Sequence, residues 1–143
     1  MIQVVCLPDT QKSPPGMNQD PESVELPVKV RLTFRTHVWR PPTDVYETED
    51  TIIVRIEIAG MREDDFSIVL DGRYLMVHGV RGETPEKRAY HQMEIPFGEF
   101  KVDIELPHPV AASQIEAFYA NGFLRVVLPK ARPKKISVEE QKS

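Results

Sequence analysis

The stretch FKVDIELP restricts the fold of this chain more than any other. Phe100, Val102, Ile104 and Leu106 alternate strictly with Lys101, Asp103 and Glu105. Period two is the mark of a strand with one buried and one wet face. The same alternation recurs upstream. TIIVRIEI sets Ile52, Val54, Ile56 and Ile58 on one face, FSIVL groups Phe66, Ile68 and Leu70, and YLMVHG pairs Leu75 with Val77. Turn signals separate these runs at Ala59-Gly60, Asp71-Gly72, Pro107-His108-Pro109 and Asn121-Gly122. Asn-Gly between IEAFYA and FLRVVLP is the strongest hairpin cue, because both residues tolerate positive φ. MREDDF adds one brief helical turn. Many short strands at this spacing predict an all-β sandwich.

The chain divides into three parts. Residues 1–40 read as an arm, partly disordered, since seven of the 13 prolines fall in residues 1–42 and LPDTQKSPPGMNQDPES lacks any periodic pattern. From Val24 to Phe34, and again at Val38, apolar side chains fall at every second position, which predicts an extended amphipathic segment at the end of the arm. Residues 41–129 hold the sandwich, and 130–143 form a tail. A chain of 143 residues suits one such domain with flanking arms.

Charge separates along the same boundaries. Residues 1–40 hold 5 basic and 4 acidic side chains and residues 129–143 hold 5 and 2, which leaves 8 basic against 16 acidic in between. A middle domain of net charge −8 repels phosphate backbones, so nucleic acid is not the expected partner. No apolar run approaches the roughly 20 residues of a membrane span, so no membrane partner is expected. MIQVVCLPDT lacks the basic start and long apolar stretch of a secretory signal, and the expected setting is cytoplasmic. The single cysteine, Cys6, cannot close an intramolecular disulfide and excludes a cysteine-cluster metal site. It reads as a small apolar residue of a mobile arm.

Catalysis requires a constellation, and the sequence offers none. His37, His78, His91 and His108 are scattered without metal-ligand spacing, no serine lies in a nucleophile elbow, and GVRG is too short for a phosphate loop. Glu63-Asp64-Asp65 reads as the charged start of a helical turn, where carboxylates face exposed N–H groups. His78 alternates with strand residues and reads as a sheet-surface histidine. No catalytic, cofactor or metal residue is assigned, and binding is the expected class.

One short stretch then stands out. In KKISVEE, Ile136 and Val138 stand alone in a charged tail, either as a chance apolar pair or as an anchor for a surface elsewhere. Together with three other stretches it supports a resemblance. PPTDVYETEDTIIVRIEIAGMREDDFSIVLDGRYLMVHGVRGE is similar to the opening strands of the small heat-shock proteins, the α-crystallin-domain family, and YHQMEIPFGEFKVDIELP to their middle. Ala117, Asn121, Gly122 and Leu124 match the hairpin motif A-x-x-x-N-G-x-L, and Ile136-Ser137-Val138 matches the tail motif I-x-[I/V]. The four occur in the family's order over roughly residues 41–138.

That resemblance implies an immunoglobulin-like β-sandwich, an α-crystallin domain that forms dimers and then larger homo-oligomers. It also implies a holdase that keeps unfolding client proteins from aggregating without ATP or any cofactor. By the same resemblance, a loop at about Arg81 to Tyr90, with Arg88 and Tyr90, crosses to a strand of the neighbour at Asp44, Val45 and Tyr46. Ile136 and Val138 anchor in a groove lined by Ile68, Leu70, Ile115 and Phe118. The alternating segment, with Val28, Val30, Leu32, Phe34 and Trp39 at its end, offers apolar surface for clients. The chain departs from the family at Val102, where members commonly carry an arginine. The alternative is a sandwich-type scaffold or co-chaperone module that binds a folded partner.

Overall fold

The computed structural model describes residues 2–8 and 37–132. Eight strands follow in chain order: β1 Val4–Cys6, β2 Thr43–Glu47, β3 Thr51–Glu57, β4 Phe66–Asp71, β5 Tyr74–Arg81, β6 Gly98–Glu105, β7 Glu116–Ala120 and β8 Phe123–Pro129. They form two four-stranded sheets in the orders β1-β4-β5-β6 and β2-β3-β8-β7. All pairs are antiparallel except β1 with β4. The predicted β-sandwich is what the chain forms.

Each alternating run sends its apolar set between the sheets. Ile52, Val54, Ile56 and Ile58 meet Leu75, Val77, Phe100, Val102, Leu106, Leu124, Val126 and Leu128, all fully buried. Among the described residues no polar or charged side chain is buried, so the core is held by apolar burial alone. Val102, where the resemblance would place an arginine, is an ordinary member of that core.

Two local devices hold the sandwich in register. The β7–β8 hairpin turns on Asn121 (φ 54°) and Gly122 (φ 81°) between the paired Ala120 and Phe123. Positive φ at both positions suits the right-handed twist of the flanking strands. Where the chain leaves β3 for the other sheet, the Tyr119 hydroxyl donates to Ile58 O at 2.8 Å and accepts from Met61 N at 3.2 Å. The predicted helical turn is a single 3-10 turn, Glu63–Asp65, closed by Arg62 N donating to Asp65 Oδ2 at 2.8 Å.

The structure corrects one expectation about the arm. Cys6 does not belong to a mobile lead: it ends β1, which lies along β4 with Val4 beside Ile68, Val5 beside Val69 and Cys6 beside Leu70. Ile2, just before it, is buried in the core. A short apolar run gains more by covering an open sheet edge than by remaining in water. The remainder of the arm as far as residue 36, and with it most of the alternating Val24–Val38 segment, lies outside the described residues.

Candidate functional site

A binding protein of this shape presents its edges, because paired strands have no backbone groups left to offer. The first is the β4 side of the first sheet, where β1 lies along β4 and forms the edge. Ile68 and Leu70 are buried in the core, and Ile115 packs half-buried against that core. Phe118 does not join them. It is 51% exposed and faces outward between inward-facing Ala117 and Tyr119. With Arg55, Ala120, Phe123 and Arg125 it instead lines an open cavity of about 350 Å³ on the outer face of the second sheet. Successive strand residues point to opposite faces, which removes Phe118 from the predicted groove.

The second edge is β2, whose only partner among the described strands is β3. Asp44 faces Arg55 across that ladder, with Oδ2 2.6 Å from Arg55 Nη2. The hydrogen bond that Arg55 donates to Asp44 raises the Arg55 pKa above its ordinary value. The Arg55 guanidinium lies 5.6 Å from the Tyr46 ring centroid, and Arg125 Nη2 donates to the Tyr46 hydroxyl at 3.2 Å. These contacts hold the Tyr46 side chain, and no described strand pairs with the other side of β2. Val45 is exposed.

The connection from β5 to β6 spans residues 82–97 and so extends beyond the predicted Arg81–Tyr90. Its tip closes on itself. Arg88 Nη1 lies 3.0 Å from Glu83 Oε1 and Nη2 donates to Thr84 O at 2.8 Å, while the Tyr90 hydroxyl donates to Glu83. That bond to Glu83 raises the Tyr90 pKa. Beyond it, Met93 and Ile95 are each 64% exposed and Tyr90 is 48% exposed. This much apolar surface on one loop of a small domain marks an interaction site. Within one chain, Asp44 and Tyr46 close contacts on the second sheet while Arg88 and Tyr90 close theirs inside the loop.

Arg81, at the end of β5, fastens the base of this loop, and sequence reasoning missed it. Its Nε donates to Pro96 O at 3.0 Å and its Nη1 to Ala59 O at 3.3 Å. Its guanidinium lies 4.5 Å from the Trp39 ring centroid and 5.3 Å from that of Phe97. Trp39, half of the contact, is held there as well. It is half-buried on Phe100, its indole N–H donates to Gly98 O at 3.3 Å, and its backbone bonds both Glu99 and Lys101. It seals the end of β6. The other predicted client residues, Val28, Val30, Leu32 and Phe34, and the anchor residues Ile136 and Val138 lie outside the described residues.

At the base of the tail, Glu47 Oε2 receives Lys130 Nζ at 3.2 Å and His108 Nε2 at 3.0 Å, and Lys130 also donates to Thr48 O at 2.8 Å. The hydrogen bond from Lys130, followed by the charges of Lys130 and His108, holds the Glu47 carboxyl below its ordinary value of 4.5. A lowered folded-state pKa gives stability that is present above 4.5 and lost as pH falls through the lower value. An NMR titration of the Glu47 carboxyl is expected to give a midpoint under 4.5 in the folded protein. Glu47→Gln should remove that part of the acid sensitivity. A midpoint at or above the ordinary value would show that the Lys130 contact does not form in solution.

Among the described residues no group of three or more His, Cys, Asp or Glu side chains is placed to hold a metal ion. Glu63, Asp64 and Asp65 sit in the 3-10 turn ahead of β4, and His78 is exposed on its sheet, as the sequence reading had them.

Known proteins share both sequence and fold with this chain. The Hsp20/alpha crystallin family profile matches residues 44–142. A small heat shock protein C2 of Rickettsia felis is 31% identical over 104 residues, 69% of this chain and 68% of that protein. A probable 15 kDa heat shock protein of Leptospira interrogans is 29% identical over 109 residues, covering 75% and 84%. Among solved structures, heat shock protein 16.0 from Schizosaccharomyces pombe superposes with a TM-score of 0.61 at 28% identity, covering 76% of this chain and 82% of that one. With the sandwich and its hairpin already in place, these matches show that the chain belongs to the Hsp20/α-crystallin family of small heat-shock proteins.

Proposed function

We propose that this chain is an ATP-independent holdase that captures unfolding proteins and is regulated by its own assembly. Its family gives it a chaperone role and not an enzymatic one. The finer mechanism rests on where the apolar surface lies. Tyr90, Met93 and Ile95 crowd one loop, and β2 keeps a free backbone edge beside exposed Val45. An edge strand and an apolar loop on the same chain are complementary between two copies, so the loop of one subunit pairs with β2 of the next. Ile136 and Val138 of the tail then link dimers through the β4 groove. Exchange of subunits uncovers the same apolar surface for clients. A cytosolic setting belongs to the same proposal.

The test is a heat-labile model enzyme warmed with and without this protein, in buffer lacking ATP, and followed by light scattering. At about one subunit per client, scattering is expected to be suppressed. Unchanged aggregation, with the protein itself folded and in solution, would overturn the holdase reading. It would favour a module that binds a folded partner.

A further inference from the structure

The segment that covers β4 carries its apolar residues at the spacing of the tail. Ile2 is 7% exposed and belongs to the core, and Val4 packs half-buried against it, while Gln3 and Val5 face outward. In the tail, Ile136 and Val138 flank Ser137 in the same pattern. One side of a strand has a single row of N–H and C=O groups, so β4 accepts one partner there at a time. β1 occupies that row from Val4 to Cys6, and Leu7 N extends it by donating to Leu70 O at 2.8 Å. The Cys6 thiol, donating to Ala112 O at 3.6 Å, links β1 to the 3-10 turn that leads into β7.

We propose that Ile2-Gln3-Val4 is a built-in competitor for the β4 groove, and that it holds off the Ile136-Ser137-Val138 segment of a second copy. The proposal rests on the tail-anchor reading above. Charge supports the choice of occupant. In the register of β1, with Ile136 in place of Ile2 and Val138 in place of Val4, Lys134 and Lys135 fall at the end of the groove where Glu63 and Asp64 lie. Those two carboxylates line an open cavity of about 340 Å³ together with Ile2 and Phe66. The leading segment has the advantage of being tethered to its own groove, which raises its local concentration. The tail has complementary charge and many copies per assembly. Release of Ile2–Val4 is therefore the step that opens a subunit to its neighbours.

The test uses the full chain carrying Ile136→Ala and Val138→Ala, so that no resident tail competes. The probe is a fluorescently labelled peptide of residues 134–140, KKISVEE. Adding Ile2→Ser with Val4→Ser is expected to tighten peptide binding about tenfold, because a site that is only fractionally open has its affinity reduced by that fraction. If that variant does not fold, Leu7→Pro removes the donor to Leu70 without touching either inward residue, and tightening in the same direction is expected. Equal, measurable affinity with and without the leading-segment changes overturns the competition and leaves the tail anchor standing. No binding to any variant overturns the tail anchor, and the competition with it.

Discussion

Phe100→Ala is expected to destabilise the folded chain by about 3–5 kcal/mol, the range for removing a buried aromatic ring from a rigid core. Phe100 is fully buried on β6, with the Trp39 ring centroid at 5.8 Å and that of Phe66 at 6.1 Å. The opposing strand is shaped to receive it. A Cβ on Gly79 would stand 2.8 Å from the ring tip and 2.4 Å from Asp65 O, so only glycine lets β5 and the 3-10 turn close on the phenyl group. Removal of the ring leaves a cavity walled by strands already locked in two ladders, which cannot collapse to fill it. Such a loss takes a large share of the roughly 5–15 kcal/mol that holds a domain folded. Urea unfolding followed by the fluorescence of Trp39, the single tryptophan, reads both the loss and the local packing. The variants must be compared at one protein concentration, since any self-association would itself stabilise the folded state. A shift below about 1 kcal/mol would mean that the ring does not fill the core as described.

The sandwich was legible because its evidence is local. Phe100, Val102, Ile104 and Leu106 declare their buried face within seven residues, and Asn121-Gly122 declares its own turn. Phe118 was also open to correct reading. It follows the motif residue Ala117, and adjacent residues on a strand point to opposite faces. The β1–β4 pairing was not legible. It joins Val4–Cys6 to Ile68–Leu70 across most of the chain, and three residues are too few to show a period. The one available signal was the shared spacing of Ile2-x-Val4 and Ile136-x-Val138. Arg81 and Trp39 were missed for a related reason. Their roles depend on Pro96, Phe97 and Gly98 folding back onto β5, which only the three-dimensional path of the 82–97 loop reveals.

Ile136→Ala combined with Val138→Ala is expected to reduce the assembly to dimers and other small species. Burial of each of these side chains is worth roughly 1.5–3 kcal/mol, or about 3–6 kcal/mol for the pair. Holding a tail in place and ordering its side chains costs a comparable amount, so one tail alone binds weakly and releases readily. An assembly with many tails behaves differently, because each bound tail raises the effective concentration of the next. Loss of two apolar side chains per subunit is thus expected to be multiplied over the whole assembly. Sedimentation velocity at several concentrations checks this: the variant should lose the large species at every concentration. Ser137→Ala, between the two anchors, should leave the size distribution as it was. An unchanged distribution for the double variant would mean that other contacts, such as the 82–97 loop against β2, hold the subunits together without the tail.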